Sequence, residues 1–237
     1  MSTILALATD AADELSLYRP ATLFQTDDEA DTTERKLLRM VTRTCQTLAA
    51  SYDWSILKAR HTWTGTASEA QSSGLPADYL RMMLNTAWDA TLNRPLLGPL
   101  SDAEWAEAKS SVVSRLDPAF TIQGSQLLMN PVPPAGHTYG FGYIRNAIGL
   151  NTSQTRIAKF TANTDAPLWD DELVTVGIIY HFRKIERLDY RQDELDFQKL
   201  MKDRIKADGG GRIIRMGCGG TGDVVGRMKR GDVSFAT

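Results

Sequence analysis

The chain has 237 residues, 42% of them apolar and 24% charged, with a net charge of −2. That length buries a sizeable core in one domain with room for a tail, and the near-neutral balance excludes binding of nucleic acid through bulk electrostatics. The start, MSTILALATDAADEL, lacks a basic n-region, and no apolar run approaches the ~20 residues that span a bilayer, so a cytoplasmically made chain with no membrane attachment is expected.

Residues 3–17 place Leu5, Ala8, Ala12 and Leu15 at helical spacing. Tyr18-Arg19-Pro20 should end that helix, because proline disfavours a helical predecessor. Asp27-Asp28-Glu29 puts N-cap residues and negative charge before a second helix, which runs to about Tyr52 on a stripe of Leu37, Val41, Cys45, Leu48 and Tyr52. Cys45 on that stripe and Cys218 far away form no metal-ligand pattern, and a reduced, buried Cys45 is expected.

Trp54 opens a β region. Residues 54–64 alternate as a strand does, residues 65–75 are Gly/Ser/Ala-rich and read as a mobile connection, and residues 79–92 read as a strand pair or one bent strand. Ser101 and Glu104 have the spacing of a capping box for a short helix over 102–110. Residues 119–129 suit two short strands about Gly124, 130–136 a proline-rich loop, and 138–145 another strand. Residues 151–167 look irregular, with one strand near 157–160.

A helix pair comes next. Asp170 or Asp171 should cap the first helix, whose Leu173, Val174, Val176, Ile178, Ile179, Tyr180, Phe182 and Ile185 spread wider than one stripe and require neighbours on several sides. Leu188-Asp189 is the turn. Tyr190, Phe197, Leu200, Met201 and Ile205 carry the stripe of the last helix, which should stop at Asp208 before Gly209-Gly210-Gly211. The rest, RIIRMGCGGTGDVVGRMKRGDVSFAT, is glycine-rich and basic with no helical stripe, and its apolar pairs Ile213-Ile214 and Val224-Val225 read as anchors for a partner. An acidic stretch over residues 10–34 and this basic one suit a head-to-tail contact between identical subunits.

The expected fold is therefore α+β: a helical bundle of about four helices with an inserted small antiparallel β lobe and an extended C-terminal tail. Residues 1–53 and 168–208 would form the bundle, 54–167 the β-rich lobe, and 209–237 the tail.

No catalytic constellation stands out. Gly217-Cys218-Gly219-Gly220-Thr221-Gly222 matches G-x-G-x-x-G, and a nucleotide-binding enzyme using that loop is one alternative. Such a site needs a helix after the loop and then a returning strand, yet Gly226 and Gly231 interrupt the residues that would form them. A DNA-binding module using the basic tail is the other, and it requires strongly salt-sensitive binding. His61, His137 and His181 have no second ligand nearby in sequence, so no metal is expected, and His181 reads as a packed, hydrogen-bonded histidine. The carboxylates at 27–29 and 170–172 read as helix caps. Tyr139, Phe141 and Tyr143 read as core rather than a base-stacking platform, since only Arg145 lies near.

The order of several segments carries a resemblance. Leu48-Ala49-Ala50-Ser51-Tyr52-Asp53-Trp54 closes a long helix on a tryptophan and opens a strand. Leu75-Pro76-Ala77-Asp78-Tyr79 leads into the next strand. Phe120-Thr121-Ile122-Gln123-Gly124 with Leu127-Leu128 continues to Pro131 and Pro133. Asp171-Glu172-Leu173 through Asp189-Tyr190, with Tyr180-His181-Phe182-Arg183 inside it, forms the long helix and its turn. In this order the chain resembles the head-to-tail adaptor (connector) proteins of tailed phages, the tail tubular protein A-like superfamily, over most of residues 27–207.

The resemblance implies a virion structural protein, not an enzyme, with no cofactor. It implies a homo-oligomeric ring, a dodecamer, at the head-to-tail interface. Portal protein would lie above, a tail or nozzle protein below, and genomic DNA would pass through the lumen without sequence-specific binding. The residues expected at the portal contact are Arg212, Ile213, Ile214, Arg215, Arg227, Lys229 and Arg230. Those expected at the oligomer interface are Gly177, Tyr180, Arg183 and Arg187. Gly177 would mark close contact between helices of the ring wall, so that Gly177→Leu impairs assembly more than folding.

Overall fold

The computed structural model describes residues 2–24, 33–110 and 118–209. Among these, five α-helices are α1 (Ile4–Glu14), α2 (Thr33–Ser51), α3 (Asp102–Ser110), α4 (Asp171–Ile185) and α5 (Arg191–Asp208). The longer strands are β1 (Lys58–Thr64), β3 (Tyr79–Met82), β6 (Ala119–Gln123), β7 (Gln126–Asn130) and β8 (Thr138–Arg145). Two-residue strands complete the set: β2 (Ala70–Gln71), β4 (Trp88–Asp89), β5 (Arg94–Pro95), β9 (Gly149–Leu150), β10 (Arg156–Ile157) and β11 (Ala166–Pro167).

These eleven strands form three antiparallel sheets, and with 39% of the described residues helical and 22% in strands the chain is not a helical bundle carrying a small β lobe. That expectation is overturned, and the physical reason is strand length. Alternation cannot mark a two-residue strand; β2, β4, β5, β9, β10 and β11 exist only through pairing with other segments of the chain.

The largest sheet is built on β8. One edge of β8 pairs with β1 along seven residues, from Lys58 opposite Ile144 to Thr64 opposite Thr138. Its other edge takes β3 and β4 end to end, β3 opposite residues 143–145 and β4 opposite 139–140, so 79–92 behaves as one interrupted strand. Thr86 spans the interruption: its hydroxyl donates to Met83 O at 2.6 Å and accepts from Gly142 N at 3.0 Å. β5 extends this sheet beyond β4. The β6–β7 hairpin turns at Gly124 (φ +61), and β2 adds to β7. The 65–75 segment thus holds a strand. The buried Gln71 amide secures it, donating to Thr66 O at 3.1 Å and accepting from Thr66 N at 2.9 Å.

The helix signals lie where local chemistry put them. In α3, Ser101 N donates to Glu104 Oε2 at 2.9 Å and Glu104 N returns a longer bond to Ser101 Oγ at 3.4 Å, the reciprocal pairing of a capping box. α4 packs against α1, α2 and α5, and the neighbours that its wide apolar surface requires come from its own chain. Asp170 occupies the N-cap position, as expected, but its side chain makes no capping hydrogen bond.

Apolar side chains form two clusters. One gathers α1, α2, α4 and Phe197 of α5 with Trp54, Leu57, Ile144, Ile148, Phe160 and Trp169. The other lies in the sheets, around Trp63, Phe120, Met129, Tyr139, Phe141 and Tyr143. The three aromatics of β8 are thus core, edge-on or tilted to Trp63 and one another. The loop before β11 ties the helices to the sheets: Ile4 N donates to Asp165 O at 2.8 Å and Leu23 N to Asn163 Oδ1 at 2.9 Å.

Candidate assembly surface

The α4–α5 hairpin carries the residues expected at an oligomer interface, and three of the four are engaged inside the chain. Gly177 lies against Thr44 of α2 and Phe197 of α5; a Cβ there would stand 2.8 Å from Phe197 Cε2 and closer still to Thr44 Cγ2. The close helix contact foreseen at Gly177 is thus intramolecular. Tyr180 is buried, stacks on Phe197 with ring centroids 5.7 Å apart, and donates its hydroxyl to Glu194 Oε1 at 3.0 Å while accepting from Lys184 Nζ at 2.7 Å. That last bond raises the Lys184 pKa. Arg183 reaches both Asp193 oxygens through Nη1, at 2.8 and 2.9 Å. Arg187 alone faces solvent, at φ +57 in the turn.

The exposed large aliphatics of the hairpin lie around that turn. Ile185, Leu188 and Leu195 are 46%, 53% and 57% exposed, among the exposed charges of Arg187, Asp189 and Arg191. A cavity of about 410 Å³ is lined by Leu188, Asp189, Tyr190, Arg191 and Glu194. Contiguous apolar patches with a polar rim mark protein contacts, whereas aliphatics exposed singly are ordinary. The sequence stripe misplaces Ile185, which it assigns to the packed face of the helix, whereas Leu188 lies in the turn as expected.

At the other end of the hairpin the carboxylates make tertiary ties. Arg204 of α5 contacts Asp170 and, at 3.1 Å, Glu172. Asp171 accepts from Ser2 N at 3.2 Å and from its hydroxyl at 2.7 Å, which holds the Asp171 carboxyl below the usual range. Asp208 accepts from Ser55 N at 2.8 Å and from the Ser55 hydroxyl. None of these pairings is visible in sequence, since each joins segments more than 30 residues apart.

Two buried sites carry side chains of the kind that catalysis uses. Asp89 is fully buried near Arg94 (3.7 Å) and His137 (3.8 Å). Its Oδ1 accepts from Thr91 N and Leu92 N, both at 3.0 Å, which closes the β4–β5 turn. His181 is 6% exposed and, unlike the hydrogen-bonded histidine expected, has no partner among the described residues at either ring nitrogen. Burial first, then Arg43 and Lys184, bring its pKa down to about 4, so the ring is neutral. Cys45 is fully buried, which pushes its thiol pKa up. Among the described residues no group of three or more His, Cys, Asp or Glu is placed to hold a metal ion, and no helix is long and apolar enough to cross a membrane.

The residues expected at the portal contact, Arg212, Ile213, Ile214, Arg215, Arg227, Lys229 and Arg230, lie outside the described residues. So do the Gly217–Gly222 loop, Cys218 and the carboxylates at 27–29. Comparison with protein families and with characterised proteins gives no match.

Proposed function

We propose that the chain is a structural connector subunit of a tailed-phage virion. It assembles into a ring, a dodecamer, beneath the portal, extends the DNA channel, and offers a platform to the tail or nozzle protein below. The exposed aliphatic tip of the α4–α5 hairpin supports this reading most directly: Ile185, Leu188 and Leu195 stand in solvent, whereas the other large aliphatics of the hairpin are buried or half-buried. A second copy is a natural cover for such a tip, because repeated copies bury the same patch in a closed ring. The order of the sequence segments gives the rest of the support. The chain's own net charge of −2 suits a lumen through which DNA slides rather than sticks.

Native mass spectrometry and electron microscopy of the full chain, alone and with purified portal, test the proposal. A ring in the presence of portal is expected, and Leu188→Asp with Leu195→Asp should abolish it while leaving the circular dichroism unchanged. A chain that stays monomeric with portal at micromolar concentration would sink the reading. Salt-sensitive binding to naked DNA in place of ring formation would turn it toward the basic tail as a DNA-binding module.

A further inference from the structure

A cleft of about 320 Å³ opens beside the last turn of α5. Its apolar floor is made by Trp54, Ile56, Leu168, Trp169 and Leu173. The two tryptophans meet edge to face, centroids 6.4 Å apart, and each is only 4% exposed. The Trp54 indole N–H donates to Leu48 O at 2.7 Å, whereas that of Trp169 is buried with no partner among the described residues. Asp170, Arg204 and Asp208 make the rim. Arg204 is shared between Asp170 and Glu172, and Asp208 is held by the neutral Ser55, so the rim keeps an excess of negative charge.

We propose that Ile213 and Ile214 of the same chain occupy this cleft, with Arg212 and Arg215 against the carboxylates of its rim. Three observations converge on that occupant. The first is reach: Asp208 lines the cleft, and a chain spanning roughly 3.5 Å per residue carries Ile213 anywhere within about 14 Å of Gly209. Gly210 and Gly211 accept the backbone angles that a reversal requires. The second is chemistry: an aliphatic pair flanked on both sides by arginine matches an apolar floor with an acidic rim. The third is covalent attachment, which gives the segment an effective concentration no free ligand reaches. The inference stands whether or not the chain is a connector. In a connector, a partner that takes the tail would have to draw it out of this cleft.

The test uses the full chain with Cys218→Ser, which leaves the buried Cys45 as the only native thiol. Ser55→Cys places a thiol on the exposed lip of the cleft and is paired with Ile213→Cys or, as a control with the same length of tether, with Ile213→Cys and Ile214→Asp together. Under mild oxidation the first pair should close a disulfide within one chain, roughly tenfold faster than the control and independent of protein concentration. Equal rates for the two pairs, or a product with the mobility of a dimer, would overturn the proposal. A second readout does not depend on bond formation. With the native Ile213 and Ile214, the thiol from Ser55→Cys should react slowly with a maleimide, and Ile213→Asp with Ile214→Asp should speed it several-fold. An unchanged rate would also overturn it.

Discussion

His181 sits between helices with both ring nitrogens unpartnered among the described residues, and its pKa lies near 4 rather than near 6.5. In the unfolded chain the imidazole takes up a proton as pH drops through 6.5; in the fold it does so only near 4. Stability from this site is therefore complete above pH 6.5 and lost as pH falls toward 4, by roughly 2 to 3 kcal/mol between pH 7 and 4.5. Urea unfolding at those two pH values should show that loss, and His181→Leu should remove its share; an identical loss in the variant would refute the assignment. Gly177 gives a second case. Alanine is the better helix former by ~1 kcal/mol, but its Cβ would press on Thr44 and Phe197, and overpacking of a core costs about 1–3 kcal/mol. Gly177→Ala should therefore lower the urea midpoint of the isolated chain, and a raised midpoint would show that α2 and α5 give way without cost.

At the scale of elements, one hydroxyl holds two short strands in line. Thr86 bonds both Met83 O and Gly142 N where β3 stops and β4 has not begun. Thr86→Val keeps the shape and leaves both groups unpaired, which should cost about 1–3 kcal/mol, read as a lower thermal midpoint; a neutral change would mean that water replaces the hydroxyl. The helices were legible because their signals are local. The stripe of α2 recurs every three or four residues, and the Ser101–Glu104 cap lies within one turn. The sheets were legible only where a strand was long enough to alternate, as in β8, or turned at a marked glycine, as at Gly124. Strand β2 has two residues and depends on Leu127 and Leu128 of β7, far along the chain. The Trp54–Trp169 cleft was illegible for the same reason, since three distant segments converge to make it. The carboxylates of residues 170–172 looked like caps because a cap is the local explanation; their partners, Ser2 and Arg204, are not local.

Across the whole molecule, β8 joins the two cores. Its Tyr139, Phe141 and Tyr143 belong to the sheet cluster, while Ile144 belongs to the helical one. The chain should therefore unfold in one step, with far-ultraviolet circular dichroism and tryptophan fluorescence tracing the same curve. Ile144→Ala should shift both together, by about 2–5 kcal/mol, and two separated transitions would show that the cores are independent. The ties at the end of α5 have a mechanical meaning as well. Arg204 fastens that end to the start of α4, and Asp208 fastens it to Ser55, just ahead of β1. A pull on the chain beyond Gly209 is thus not borne by one helix that could peel away turn by turn. The load divides at two anchor points and passes into both the helices and the largest sheet.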